Sequence, residues 1–154
     1  MLKDKREAHV NVRVEHLAPH CRSNQLFKGV LTDFSRSSFE GKIYVDQIAQ
    51  KTEAFQLNSN LLLSDRAHAD SKPNLEIFAD DVKASHGATV GQLNAEELFY
   101  MKTRGITQEE ASNLLVFGFA QEILDLCTLT SLHHQLTRQA QHRGCEKIEI
   151  QVIL

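Results

Sequence analysis

The stretch "DDVKASHGATVG", Asp80 to Gly91, sets one histidine among small residues, with Gly87 directly after it. An imidazole at His86 can bind a metal through a ring nitrogen, take a proton as a base, or end a strand as an ordinary polar side chain. Gly87 permits close backbone approach or a positive φ, which an accessible site and a simple turn both need. On chemistry alone these readings stay open. His68 lies in "DRAHAD", flanked by Asp65 and Asp70. By itself this reads as a solvated corner turn, with a His–carboxylate metal site as the alternative if stacked segments share a face. In "HLAPHC", His16, His20 and Cys21 are metal-friendly types, but Pro19 disfavours helical backbone at Ala18, so the segment reads as a surface turn. His133 and His134 would point about 100° apart on a helix, and His142 is two turns beyond His134, so no shared ion is expected there. Cys21, Cys127 and Cys145 are too dispersed for a disulfide framework or a CxxC knuckle, which predicts reduced thiols.

Common enzyme signatures are absent. The sequence has no GxSxG elbow, no GxxxxGK[ST] loop and no GxGxxG fingerprint. No intrinsic enzyme activity is expected, and any ATP chemistry would come from a partner. The formal charge of −3, with Lys and Arg scattered, offers no basic field for nucleic acid. No apolar run approaches the ~18 residues that span a bilayer, and "MLKDKREAHVNV" lacks the apolar core of a signal peptide. The expected setting is cytoplasmic, without membrane contact.

The 154 residues, 42% of them hydrophobic with only two prolines, suffice for one folded unit with a helical appendage. From Leu26 to Val90 short strand-like runs alternate, as Ile43 and Val45 do against Lys42 and Tyr44. From Lys42 the runs "GKIYV", "EAFQL", "NLLLS", "AHAD", "LEIFA" and "VKASH" begin mostly seven or eight residues apart. That spacing is too tight for βαβ units and points to a parallel β-helix. After Gly91 the period turns helical. Asn94 caps a helix over 95–104 that Gly105 ends, and Thr107 with Glu110 forms a capping box for a second. The second helix is expected to bury the stripe of Ala111, Leu114, Leu115, Gly118, Phe119, Glu122 and Ile123, with Glu122 its one polar exception. A third helix is predicted over "TSLHHQLTRQAQHRG". The organisation expected is therefore β-helix coils over 1–91, a helical subdomain over 92–144, and a tail over 145–154 whose "KIEIQVIL" alternates like a strand.

Five blocks, "SNQLFKGVL", "FEGKIYV", "QKTEAFQLNSNLLLSDRA", "SKPNLEIFADDVKASHGATVG" and "LFYMKTRGITQEEASNLLVFGFAQEIL", resemble in order the C-terminal half of the SufB/SufD family of iron–sulfur cluster assembly proteins. The resemblance runs from about Ser23 to Leu126 and is closer to the D-type subunit, because B-type chains typically place a cysteine at the turn matching Ala67. It implies a right-handed parallel β-helix, here truncated, followed by a small helical subdomain. It further implies a scaffold role in a SufBCD-type complex with a SufB-like subunit and a SufC-like ABC ATPase. In D-type subunits the histidine matching His86 contributes to an interfacial cluster site opposite a B-type cysteine. The ATPase-facing region corresponds to Phe99, Tyr100, Met101, Arg104 and Gly105. No cofactor is expected to be tightly bound by the chain alone; iron or a transient iron–sulfur cluster would sit at the subunit interface.

Two departures accompany the resemblance. Many D-type chains carry a cysteine two positions before the histidine, where this chain has Ala84, and the chain is much shorter than usual, as a fragment or a short paralogue would be. An uncapped stack of coils could also pair with a second copy, giving a homodimer in isolation. The alternatives are an interaction module with no cluster role, or a β-helix acyltransferase using His86 as base. The latter is disfavoured because the hexapeptide repeat of such enzymes is missing.

Overall fold

A computed structural model of the chain describes residues 1–145, with side chains up to residue 140. Six ten-residue strands come first: β1 (Glu7–His16), β2 (Arg22–Leu31), β3 (Arg36–Val45), β4 (Glu53–Leu62), β5 (His68–Ile77) and β6 (Lys83–Gln92). Three helices follow, α1 (Ala95–Thr103), α2 (Gln108–Leu124) and α3 (Thr130–Cys145). The protein is thus mainly β with parallel sheets and C-terminal helices. Strands alternate between two three-stranded sheets, β1-β3-β5 and β2-β4-β6, every pairing parallel. None of the described helices is long and apolar enough to cross a membrane.

The strand rhythm differs from the expected seven or eight residues. Strands start fourteen to seventeen residues apart, because "EAFQL" and the first part of "NLLLS" fall in one strand, β4, and most of "AHAD" and the first part of "LEIFA" fall in another, β5. The polar residues between those runs are not strand ends. Gln56, Asn58 and Asn60 of β4 are buried and face the same way as Ala54, toward the other sheet. Pro73 is accommodated inside β5 because β5 pairs only with β3 and leaves one edge unpaired among the described residues. The β region also begins before Leu26, since the alternation of Ala8, Val10, Val12 and Val14 forms β1.

Partners across a sheet lie 29 to 32 residues apart, as in Glu7 beside Arg36 and Arg36 beside His68. Between the sheets, Ile43 and Val45 of β3 pack with Ala49, Ala54 and Ala79, joined by Leu75, Val82 and Ala84. The turns stack as well. Asp4 and Asp33 have φ of 59° and 57° in one stack, His20 and Lys51 have 61° and 59° in the other, and backbone bonds link them in ladders. Phe34 N donates to Asp4 O at 2.9 Å, and Lys51 N to Asp81 O at 2.5 Å. Left-handed backbone at four non-glycine residues is held by these bonds, since the chain alone disfavours it.

The helix caps follow the sequence signals. Asn94 accepts from the backbone N–H groups of Glu96 and Glu97, Thr107 and Glu110 close a capping box, and Gly105 takes φ +83° after α1. The buried face of α2 is rotated from the expected one. Ala111, Val116 and Ala120 are buried while Leu114 is 52% exposed, because Val116 and Phe119 pack on Val30 of β2 and Leu61 of β4. The predicted C-terminal strand lies outside the described residues, apart from Cys145, which ends α3.

Acid should destabilise this fold through two groups. Burial lowers the pKa of His16, which is neutral and bonded to Ser23 Oγ at 2.9 Å. The unfolded chain binds that proton more readily, so the contribution is complete above pH 6.5 and falls away below it. On the outer face Arg22, Glu53 and Lys83 form one row, and the hydrogen bond from Lys83, with the Arg22 charge, holds the Glu53 carboxyl below its ordinary value. That stability is present above about pH 4.5 and is lost as pH falls through the lowered pKa. Urea midpoints measured against pH should show His16→Gln flattening the upper step and Glu53→Gln the lower; profiles identical to wild type would contradict the assignment.

Candidate functional site

His86 is the fourth residue of β6 and is exposed. Ala84, two residues earlier, packs into the core between the sheets, so the strand's alternation turns His86 toward the same interior side. Strand β6 pairs only with β4, and its other edge is unpaired among the described residues. In register, His86 stands beside Gln56, and Gln56 beside Gln25, forming one row across the sheet. Gln56 is 2% exposed, and its Nε2 donates to Gln25 Oε1 at 3.0 Å. Its Oε1 is buried and has no hydrogen-bond partner among the described residues. This row spans residues 31 and 30 apart, so the signal for it in the sequence is a polar side chain repeating at the sheet's own period.

Gly87 serves close approach and not a turn. Its φ is not in the left-handed region, and a Cβ there would stand 3.1 Å from Leu57 Cδ1 on the outer face. Gly91 meets nothing within 4 Å. The outer side of β6 is thus built from Ser85, Gly87, Thr89 and Gly91, which leaves a thin strand at the sheet's end.

The remaining histidine candidates separate. His68 opens β5 and its Nε2 lies 3.1 Å from Asp70 Oδ1, both side chains well exposed, as a solvated pair. His20 occupies a left-handed turn position while His16 is buried at the end of β1, so they do not share a site. His133 meets His134 edge-on at 6.0 Å and lies 3.4 Å from Asp125, and the His142 side chain is outside the described residues. Among the described residues no group of three or more His, Cys, Asp or Glu side chains could hold a metal ion, and Cys21 and Cys127 are free.

The helical candidates form a second, separate surface. Phe99 is 69% and Tyr100 58% exposed on α1, Met101 is half-buried, and Arg104 donates from Nη2 to Tyr100 Oη at 3.0 Å while lying over its ring. Glu96, Glu97, Tyr100, Met101 and Leu115 line a shallow, mostly apolar groove between α1 and α2. Helix α1 packs on α2, whereas β6 packs on β4 and β5, so these residues are not brought to His86. Sequence reasoning also missed Lys28. Its ammonium, on a side chain only 7% exposed, bonds Phe119 O at 2.8 Å and Glu122 and lies over the Phe119 ring, fastening α2 to the sheet.

Residues 1–119 match the family described as SUF system FeS cluster assembly, SufBD core domain. The chain belongs to the SufBD core family. The match reaches upstream of Ser23, where the resemblance read from the sequence began. A SufBD family iron–sulfur cluster assembly protein of Synechocystis is 45% identical over 130 residues, 84% of this chain and 28% of the relative. The iron–sulfur cluster assembly protein SufD of Escherichia coli is 42% identical over 130 residues, 84% of this chain and 31% of its own length. A SufBD family protein of Mycobacterium leprae is 37% identical over 137 residues. This chain of the SufBD family spans about three tenths of the length of the first two relatives. Ala67, just before β5, is buried.

Proposed function

We propose that the chain is a non-catalytic scaffold subunit of iron–sulfur cluster assembly, or a fragment of one, acting with a SufB-like subunit and a SufC-like ABC ATPase. The cluster is its cargo, not a resident cofactor. The observation that carries the reading is the position of His86: a metal-competent side chain on a sheet edge left open to another chain. An open edge strand offers a row of backbone donors and acceptors to a partner strand, and an imidazole there can complete a ligand set whose thiolate comes from that partner. A site divided between subunits responds to their relative motion, which is how ATP hydrolysis elsewhere in a complex could act on it.

The β region over 1–91 is read as coils of a right-handed parallel β-helix with two strands per coil. Alternation of strands between two sheets at a repeat of about thirty residues supports this, as does the strong right-handed preference of parallel crossovers. The helical subdomain over 92–144 then carries the ATPase dock.

In the complete complex, His86→Ala should reduce cluster loading, followed by absorption spectroscopy, while leaving the subunits assembled. Loading equal to wild type would sink the role given to His86. Joint alanine substitution of Phe99, Tyr100, Met101 and Arg104 should weaken capture of the SufC-like ATPase by roughly tenfold or more, the effect of removing interface anchors; undiminished capture would move the dock elsewhere.

A further inference from the structure

We infer that Gln56 is a positioning residue for His86: rotation of the exposed imidazole brings one ring nitrogen to the unpartnered Gln56 Oε1, and donation to that oxygen fixes the imidazole in a single neutral tautomer. The inference deepens the proposed cluster role, since it concerns the same imidazole. It rests on the direction of a glutamine row. Gln56 uses its Nε2 on the β2 side, donating to Gln25 Oε1 at 3.0 Å. The oxygen and nitrogen of a carboxamide fork apart, so with Nε2 committed to Gln25 the Oε1 lies over Gly41 of β3, away from the β2 partner, and the residue in register on the β6 side is His86. That oxygen is buried and without a partner among the described residues. The carboxamide lies against Gly41 of β3 so closely that a Cβ on Gly41 would collide with it, Oε1 being the nearest atom.

Leaving such an acceptor unmet is unfavourable, and His86 is the side chain best placed to answer it. The imidazole stands on an exposed edge strand, where rotation about its side-chain bonds is open to it. Donation from one ring nitrogen leaves the other as the lone-pair nitrogen. Metal-binding histidines are oriented in this manner, the second N–H being committed to a carbonyl or carboxylate oxygen. Gln56 would therefore select which nitrogen of His86 faces the open edge before any partner or iron arrives.

Long-range proton–nitrogen correlation spectra of the full chain with labelled histidine, in mildly alkaline buffer, read the tautomer directly. His86 should show one tautomer in the wild type. Gln56→Met, which keeps length but removes the acceptor, should return it to the mixture typical of free imidazole. Gln56→Glu retains an acceptor oxygen and should preserve the single tautomer. A mixture in the wild type overturns the inference, as does a single tautomer surviving in Gln56→Met. The wild-type spectrum decides even if a variant fails to fold. Cluster loading is not read, so failure here leaves the cluster role of His86 standing, and unimpaired loading in His86→Ala leaves the tautomer result standing.

Discussion

Gly41→Ala should lower stability by about 2–4 kcal/mol, and most of that loss should vanish when Gln56 is also alanine. The added methyl would fall on the Gln56 carboxamide, closest to its Oε1, with Cδ and Nε2 each 2.7 Å away. That carboxamide is held by Gln25 and enclosed between the sheets, so it cannot yield as a surface side chain would. Overfilling a packed interior costs about 1–3 kcal/mol. Pushing Gln56 aside also breaks a buried amide–amide bond, a further cost of about 1 kcal/mol. In a Gln56→Ala background the clash has no object, so a double-mutant cycle by urea denaturation should give a coupling of about 1–3 kcal/mol. Gly91→Ala is the control: its Cβ meets nothing within 4 Å, and it should change stability by less than about 0.5 kcal/mol. Equal losses for Gly41→Ala in both backgrounds would show that the carboxamide does not occupy this space.

Gly41 also marks where the sequence became hard to read. Alternation is legible wherever inward positions are apolar, as with Ile43 and Val45, both fully buried. Helix starts are legible because Asn94, Thr107 and Glu110 act on backbone groups within three residues of themselves. In β4 the inward positions are Ala54, Gln56, Asn58 and Asn60, and three polar residues facing inward mimic a break between two short strands. Their partners are remote: Gln25 for Gln56, Ser71 for Asn58, at 2.8 Å, and the space above Gly29 for Asn60. The rotated face of α2 has the same origin. Leu114 and Val116 are both reasonable core residues by type, and what selects Val116 is its packing on Val30 and Leu61. His86 was visible as a residue type in a permissive setting, while Gln56, its neighbour in register, stands 30 positions away. Chemistry carried by one side chain is local in sequence; its orientation is set by a pairing that is not.

Lys28→Ala should cost about 2–3 kcal/mol and should loosen α2 before it loosens the sheets. The Lys28 side chain crosses from β2 to α2, where its ammonium is bonded to Phe119 O and Glu122 and faces the Phe119 ring at 4.3 Å. The two anionic or dipolar partners do not contribute equally. Glu122 is 65% exposed and solvent screens its charge, so Glu122→Gln should cost under about 1 kcal/mol. The buried stem, the carbonyl and the ring therefore carry most of the effect. Lys28→Met separates them, because it keeps the stem in place while no ammonium has to be desolvated. Replacing a buried charge by an apolar group of similar shape is often close to neutral, so Met should stay within about 1 kcal/mol of wild type. Hydrogen exchange of α2 amides reads the outcome locally. Protection lost in Lys28→Ala but kept in Lys28→Met would make the tether a packing element; loss in both would make it electrostatic. Unchanged α2 protection in Lys28→Ala would leave Val30, Leu61 and Val116 as sufficient to seat the helix. Because α1 packs on α2 and carries the exposed Phe99 and Tyr100, the side chain that seats α2 also sets where that aromatic surface stands relative to the sheet edge bearing His86.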